Sequence, residues 1–264
     1  MSCINPYNFN NKLLTIDYIG KVLNTFKIYD EPKNVDIYQR AFIHSSYKYN
    51  KDLIEETGIV EKPEGALTLF SQDYERLEFL GDSILGSIIA HYLYERYENE
   101  TEGFLSVMKT KLVRKHALAY LSRELGFNKY IIMSRHMEDV NNGRNNIDIL
   151  EDIFEAFIGA IYLDFGESGY TVAQNFLINL IEEKVDFAEL IVNDTNYKGQ
   201  LTKYYMKTYQ QKITFKIMEK GGNIVKVGVY DKHDTLLGEG IGNNKKSADQ
   251  NACKELLIKL DLLN

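Results

Sequence analysis

The sequence predicts an all-α domain over residues 1–190, a linker over residues 191–196 and a small α+β domain over residues 197–264. In the first part, apolar residues recur mostly at the three- and four-residue spacing of helices, with few alternating runs. In the last part, three runs alternate between apolar and polar residues, as strands with one buried face do. The change of period therefore divides the chain into an all-α region and an α-β-β-β-α region.

Apolar spacing predicts a series of helices in the first part. They cover Leu13 to Thr25, Val35 to Phe42, Tyr74 to Tyr97, Gly103 to Leu125, Asp148 to Phe165 and Tyr170 to Val185. Gly126 and Gly166 follow helical runs, where a glycine commonly ends a helix. Two polar segments are predicted as loops. They are residues 48–73, a loop or insertion, and residues 137–146, which centre on Asn141-Asn142-Gly143.

In the second part, helices are predicted over Tyr197 to Tyr209 and Lys245 to Leu260. Three strands are predicted between them, over Lys212 to Glu219, Ile224 to Tyr230 and Thr235 to Ile241. The turns that join these strands are Gly221-Gly222-Asn223 and residues 231–234, which are polar. A helix, three strands and a second helix can bury a common core, so we expect an independent domain.

Composition narrows the class of protein. The chain has 264 residues, 44% of them apolar and 26% charged, a balance typical of globular proteins. The apolar stretch Ile84 to Ala90 is too short to span a bilayer, and the N-terminus lacks the pattern of a secretory signal. Cys3 and Cys253 form no Cys-x-x-Cys, which argues against disulfide frameworks and zinc fingers. We therefore expect an intracellular, cytoplasmic protein, and its many Asn, Lys, Ile and Tyr residues are typical of AT-rich genomes, viral ones included.

Charge is distributed unevenly along the chain. The formal net charge is -7, but residues 196–264 carry 12 basic and 7 acidic residues, a balance of +5. Residues 1–195 carry 19 basic and 31 acidic residues, a balance of -12. This asymmetry suggests a basic module that meets phosphates and an acidic module that holds cations. Ordinary variation of surface charge is the alternative that charge alone leaves open.

Two of the predicted helices carry acids where the apolar pattern indicates a core. In the first, Glu75, Glu78 and Asp82 stand at i, i+3 and i+7, on one face of a helix that is apolar beyond Asp82. In the second, Asp152 and Glu155 share a face at i and i+3. Like charges at this spacing repel, and burial of unpaired carboxylates is costly or raises their pKa values. These acids therefore need partners.

Three kinds of partner are compatible with these acids. Basic side chains of neighbouring helices, such as Arg76 or Lys111, could pair with them. A helical di-iron site needs Glu-x-x-His, and no histidine of the chain has a glutamate three residues before it. A hard-cation site, in which carboxylates bind Mg²⁺ or Mn²⁺, suits phosphodiester hydrolysis and accounts for a basic accessory domain. We favour the hard-cation site, although ion pairing stays open for any single acid.

The segment Glu75 to Ser83, with the sequence Glu-Arg-Leu-Glu-Phe-Leu-Gly-Asp-Ser, resembles the signature stretch of the ribonuclease III family. The resemblance continues in order along the chain, with His44-Ser45-Ser46 before this segment and Glu102 to Ser106, Lys111 to Val113 and Asp152 to Ala156 after it. Residues 197–264 resemble a double-stranded-RNA-binding domain, with Gly238-Glu239-Gly240 in the third strand and Lys245 to Ala252 at the start of the last helix.

The resemblance implies an all-α endonuclease domain that forms a homodimer and cleaves double-stranded RNA with Mg²⁺, for which Mn²⁺ can substitute. Products with a 5′-phosphate and a short 3′ overhang are expected, and no organic cofactor. The acids that match the family's metal-ligating and catalytic residues are Glu78, Asp82, Asp152 and Glu155. Glu75 and Glu102 are possible accessory acids. Phe79 matches a dimer contact, and plain core packing is its alternative.

For the second part, the resemblance implies a small α+β (α-β-β-β-α) double-stranded-RNA-binding domain. Lys245 and Lys246 begin its last helix, where the helix N-terminus also favours phosphate, so we expect them to contact RNA. Solvated surface lysine is the alternative for both. Departures from the family pattern predict weak duplex binding: a short turn at 221–223 without histidine, Asp249 in place of a lysine, and Thr202 and Lys203 in place of Gln and Glu. A catalytically silent protein that binds and sequesters duplex RNA is the alternative function.

Overall fold

The computed structural model describes residues 5–49, 61–192 and 196–263. The chain forms two compact units, of which the first ends at Asp186 and the second begins at Phe187. Parts of the 48–73 segment and of the 191–196 linker lie outside the described residues, as does Cys3. Among the helices of the described ranges, none combines the length and the hydropathy that crossing a bilayer requires.

The first unit is mostly helical, as predicted. Its helices are α1 Ile16–Thr25, α2 Val35–Arg40, α3 Glu75–Arg96, α4 Glu102–Val113, α5 Lys115–Glu124, α6 Arg135–Asp139, α7 Ile147–Asp164 and α8 Gly169–Lys184. Side-chain oxygens accept hydrogen bonds from free backbone N–H groups at several N-termini, for example Thr15 at α1, Thr101 at α4 and Asn146 at α7. These caps explain where the helices begin.

The prediction of one helix over residues 103–125 is wrong, because two helices occupy this segment. Arg114 has an extended backbone (φ −68°, ψ 146°), which ends α4 at Val113 and begins α5 at Lys115. Its carbonyl oxygen accepts the first hydrogen bonds of α5. The segment contains no Pro, and the apolar spacing runs through it without a break. The loop predicted at 137–146 likewise includes the end of α6 and a 3₁₀ turn, Gly143–Asn145.

Helices α3 and α7 form the centre of the first unit and contact each other more extensively than any other two elements. Helix α7 is apolar on nearly all sides, and Ile153, Phe154 and Phe157 are fully buried. Beyond Asp82, helix α3 also enters the core, where Leu85 is buried. Both acid-bearing helices therefore belong to the core, as their apolar patterns predict.

The second unit contains α9 Phe187–Val192, α10 Tyr197–Tyr209, β1 Thr214–Gly221, β2 Ile224–Tyr230, β3 Leu236–Gly242 and α11 Lys245–Lys259. The strands form an antiparallel sheet in the order β1-β2-β3. Helix α11 packs against β2, β3 and α10. The core between them includes Leu201, Val229, Ala252 and Leu256. The predicted α-β-β-β-α order for residues 197–264 is confirmed.

Two departures from the family pattern have structural explanations. Only Gly222 and Asn223 join β1 to β2, and Gly222 has a left-handed backbone (φ 55°) that glycine adopts without strain. Asp249 is 5% exposed, and its Oδ2 lies 2.6 Å from Nζ of Lys198. The aspartate therefore joins α11 to α10 inside the unit instead of presenting a negative charge to solvent.

Candidate active site

The two acidic motifs meet where α3 crosses α7. A Cβ atom placed on Gly81 would lie 1.8 Å from the carbonyl oxygen of Glu155, and one on Gly159 would lie 2.4 Å from the carbonyl oxygen of Leu77. Only residues without side chains allow the two backbones to approach so closely. Since Asp82 follows Gly81 directly and Glu155 lies at the contact itself, this crossing brings the two acidic motifs together.

The acids at the crossing differ in burial. Glu155 is 8% exposed, Glu78 and Asp152 are half-buried, and Asp82 is exposed. The expectation of buried acids therefore holds for Glu155 and is wrong for Asp82. The exposure of the acids therefore increases from the interior carboxylate of Glu155 on α7 to the solvent-facing carboxylate of Asp82 on α3.

The electrostatics of the crossing are dominated by carboxylates. Burial raises the pKa of Glu155 to about 8. The negative charges of nearby acids add to this rise; these acids are Asp82, Glu151, Glu78 and Asp152. Burial also raises the pKa of Glu78, with further contributions from Asp152, Glu75, Asp82 and Glu151. Such shifts mean that burial and neighbouring negative charges together disfavour the ionised forms. The crossing is therefore a place where a cation would be stabilised.

After burial, the causes that act most strongly on the pKa values of Glu78 and Glu155 are the charges of other acids. At the start of α7, Asp148 pairs with Lys115 of α5, whose Nζ lies 3.7 Å from Glu151 Oε2. The positive charge of Lys115 is thus directed mainly at carboxylates other than the four in the two motifs.

The chemistry of the donor set fits a hard divalent cation, since carboxylate oxygens are the ligands that Mg²⁺ and Mn²⁺ prefer. In the described part of the chain, however, no three His, Cys, Asp or Glu side chains are arranged as a ready metal-binding group. The crossing therefore places the four acids within electrostatic reach of one another, while their side-chain orientations are not those of a formed ligand shell. Asp and Glu side chains reorient by rotation between staggered conformers.

Sequence analysis missed Tyr74, which contacts one of the four acids. The hydroxyl of Tyr74 donates a hydrogen bond to Asp152 Oδ2 at 2.8 Å, and the tyrosine is 4% exposed. Burial raises the pKa of Tyr74, as does the charge of Asp152, so the hydroxyl keeps its proton at neutral pH. Burial also raises the pKa of Asp152, while the bond from Tyr74 acts in the opposite direction. No signal in the sequence connects these residues, which are 78 positions apart.

The accessory acids lie at the surface. Glu75, the first residue of α3, and Glu102, the first residue of α4, are both exposed. Oε1 of Glu102 accepts a hydrogen bond from Ser106 Oγ at 2.7 Å. Glu75 contributes to the raised pKa of Glu78, so it acts electrostatically on the crossing.

Two further sets of predicted residues lie on surfaces. Phe79 on α3 is 77% exposed, so the alternative that it packs in the core is wrong. Lys245 and Lys246 are exposed in the first turn of α11. Asn244 caps this helix by accepting a hydrogen bond from the backbone N–H of Ser247. The lysines and the helix N-terminus thus lie together at the surface of the second unit.

Comparisons with known proteins agree with these features. Residues 34–185 match the family model described as Ribonuclease-III-like. The protein named "Probable ribonuclease 3" of Acanthamoeba polyphaga mimivirus is 32% identical over 262 residues, which are 97% of this chain and 47% of that protein. The chain thus spans about half the length of this viral relative. "Ribonuclease 3" of Borreliella burgdorferi is 33% identical over 234 residues, 88% of this chain and 87% of that protein.

A solved structure is also similar to this chain. It is the nuclease domain of ribonuclease III from Campylobacter jejuni, in which flexibility is described for a region involved in dimer formation. The similarity has a TM-score of 0.51 at 29% identity and covers 65% of this chain and 99% of that domain. The family model covers more than half of the chain and includes α3, α7 and all four acids at their crossing. The chain therefore belongs to the ribonuclease III family of endoribonucleases.

Proposed function

We propose that the protein is a Mg²⁺-dependent endoribonuclease that cleaves double-stranded RNA as a homodimer and leaves 5′-phosphates and short 3′ overhangs. One observation carries this proposal: Glu78, Asp82, Asp152 and Glu155 meet at the α3–α7 crossing, where carboxylates dominate the charge. A protein that only bound RNA would gain nothing from concentrating acids at this crossing, because they repel each other and the phosphates.

Asp82 and Glu155 have distinct parts in this proposal. Mg²⁺, or Mn²⁺ in its place, would polarise the scissile phosphate and make water a stronger nucleophile at neutral pH. Asp82, which is exposed, offers oxygens at the solvent side, and Glu155 offers them at the interior side. Glu155, with a pKa raised to about 8, would have to lose its proton in order to hold a cation, because ligands must be deprotonated. Glu75 and Glu102 act as accessory acids near the site.

The second unit is proposed as the double-stranded-RNA-binding domain. Its α-β-β-β-α order, its charge balance of +5 over residues 196–264, and exposed Lys245 and Lys246 support this assignment. A-form RNA hides its base edges in a deep, narrow major groove, so proteins recognise duplex RNA mainly by its shape, phosphates and 2′-hydroxyls. The burial of Asp249 means that this residue does not repel a phosphate at the surface.

The proposed homodimer involves Phe79. An aromatic side chain that is 77% exposed, one residue after the ligand candidate Glu78, is suited to a contact between protomers. A two-fold dimer supplies one site from each protomer, so each strand of a duplex meets its own site at a fixed offset. Staggered cuts and overhanging ends follow from that symmetry.

A duplex RNA with labelled ends tests the proposal. Purified protein is incubated with this RNA in Mg²⁺, in Mn²⁺ and in excess chelator, with single-stranded RNA of the same sequence as control. We expect cuts in the duplex only with a divalent ion, and end mapping should show 5′-phosphates and 3′ overhangs. Duplex binding without cation-dependent cuts would instead support the alternative, a catalytically silent duplex-RNA-binding protein.

A further inference from the structure

The hydrogen bond from Tyr74 to Asp152 links the residue that precedes α3 to an acid on α7. It occupies Oδ2 of Asp152 and leaves Oδ1 without a bond from this tyrosine. The rest of the tyrosine is in the core, and its ring contributes to the unit's buried interior. A carboxylate held on one oxygen by a buried donor has fewer orientations available to the other oxygen.

The ring of Tyr74 is itself held by the motif His44-Ser45-Ser46, to which the proposed reaction assigns no role. The backbone N–H of Tyr74 donates to the carbonyl oxygen of Ile43 at 2.9 Å. The His44 ring meets the Tyr74 ring edge-on, with centroids 5.9 Å apart. His44 Nδ1 accepts a hydrogen bond from the backbone N–H of Ser46, and Ser46 Oγ accepts one from the backbone N–H of Ser134. Ile43 thus holds the backbone of the tyrosine, and His44 of the adjacent motif contacts its ring.

The residue before Tyr74 is anchored as well. The carboxylate of Asp73 is buried, and its Oδ2 lies 2.8 Å from Lys48 Nζ. Arg40 Nε donates to the carbonyl oxygen of Asp73 at 3.1 Å. With its neighbour held on two sides, the tyrosine has little freedom to move its hydroxyl away from Asp152.

We propose that Tyr74 is a positioning residue, whose hydroxyl orients the carboxylate of Asp152 so that Oδ1 binds the divalent cation. This inference rests on the proposed function, since it assigns a ligand's supporting partner. Groups that hydrogen-bond metal ligands fix the ligand's orientation, and their loss typically lowers metal affinity or activity by about 10–100-fold. Tyr74 touches neither RNA nor cation in this role and acts through Asp152.

The same helix provides a matched control. The hydroxyl of Tyr38 donates to Asp164 Oδ2 at 3.0 Å, and Tyr38 is fully buried. Asp164 is the last residue of α7 and lies outside both acidic motifs. Tyr38→Phe and Tyr74→Phe therefore each remove one Tyr–Asp hydrogen bond to α7, and only the second concerns a proposed ligand.

The experiment compares the unmodified chain with these two variants in three measurements. Thermal unfolding in chelator reports the structural cost, Mn²⁺ titration by calorimetry reports cation affinity, and cleavage at varied Mg²⁺ reports the half-saturating concentration. We expect both variants to lose similar stability. We expect Tyr74→Phe alone to weaken Mn²⁺ binding and raise the Mg²⁺ requirement by about 10-fold or more.

Two results would overturn the inference while leaving the proposed function intact. One is a wild-type protein that binds Mn²⁺ and cuts duplex RNA, together with a Tyr74→Phe variant of unchanged cation affinity. The other is an equal loss of affinity in Tyr38→Phe, which would show a general effect on stability. A wild-type protein that neither binds Mn²⁺ nor cuts RNA would overturn both proposals.

Discussion

Gly81 and Glu155 are in direct backbone contact across the α3–α7 crossing: a Cβ atom on the glycine would lie 1.8 Å from the glutamate's carbonyl oxygen. On α3, the contact residue Gly81 lies between the acids Glu78 and Asp82. On α7, the contact residue Glu155 is itself one of the acids. The distance between the two acidic motifs is therefore set by the absence of a side chain at position 81. Any side chain there must push the helices apart.

Gly81→Ala should destabilise the protein. Overpacking of a core commonly costs about 1–3 kcal/mol, and here the clash is with backbone, which cannot rotate away. Gly86→Ala is the control on the same helix, because a Cβ there meets only the flexible end of Lys109 at 3.6 Å. Alanine in a helix is favoured over glycine by about 1 kcal/mol, so this variant should keep or gain stability. Chemical denaturation measures both, and equal stabilities would contradict the proposed close contact.

Glu155→Gln should abolish cleavage while leaving duplex affinity almost unchanged. The amide has nearly the same shape but lacks the negative charge that a cation needs. Cleavage rate in saturating Mg²⁺ and duplex affinity in chelator are the two measurements. Glu167→Gln, at an exposed acid that is outside both motifs, is the control. Undiminished turnover in Glu155→Gln would remove this residue from the site.

Without divalent ions, stability should fall as pH rises. Burial first, and then neighbouring carboxylates, raise the pKa of Glu155 from 4.5 to about 8. Between these values the folded protein keeps a proton that the unfolded chain has released, so each increase in pH favours unfolding. Free energies of unfolding, measured in chelator from about pH 5 to pH 8, should decline less steeply for Glu155→Gln. Identical slopes would show that Glu155 is not the group responsible.

Replacing both Lys245 and Lys246 with alanine should weaken duplex binding and reduce its salt dependence. Each lost phosphate contact lowers the slope of log affinity against log salt by about one unit. Lys254 and Lys259 lie exposed on the same helix, farther from its N-terminus, and their double replacement removes the same charge. A filter-binding or fluorescence titration over a range of salt compares the pairs. If both pairs behave alike, net charge rather than the start of α11 determines affinity.

Phe79→Ala should shift the protein from dimer to monomer. Truncation of an exposed aromatic at the centre of an interface commonly costs about 2 kcal/mol or more of association energy. Tyr94→Ala is the control, because Tyr94 is also on α3 and 71% exposed. Sedimentation velocity over a concentration series measures the equilibrium. A dimer that persists in Phe79→Ala but dissociates in Tyr94→Ala would place the interface elsewhere on α3.

The chemistry of the site could be predicted from sequence because its signals are local. Glu78 and Asp82 stand about one turn apart in a helix that is largely apolar beyond Asp82, and Asp152 and Glu155 stand about one turn apart in a second largely apolar helix. Helical period identifies the face on which each acid lies. It could not show that Asp82 would be exposed while Glu155 is buried, since burial depends on what covers each face.

The remaining features depend on hydrogen bonds and packing that the spacing of apolar residues does not show. No glycine or proline at Arg114 predicts the break between α4 and α5. The carbonyl oxygen of Arg114 accepts hydrogen bonds from the first turn of α5. From the sequence alone, Asp249 is expected to be a surface charge that repels phosphate. In the structure it pairs with Lys198 of another helix. From the sequence alone, Tyr74 is an ordinary residue at the start of a helix. In the structure its hydroxyl donates a hydrogen bond to Asp152.

By itself, the sequence determined the mostly helical first unit, the α-β-β-β-α second unit, the family and the four candidate acids. The period of apolar residues, the turn residues and the motif spacing are properties of residues close together in the chain, so the sequence alone shows them. Only the tertiary structure decided that Gly81 meets Glu155, that Phe79 faces outward and that Tyr74 holds Asp152. Close approach, burial and long-range hydrogen bonds arise from how helices pack in three dimensions, which spacing along one helix does not specify.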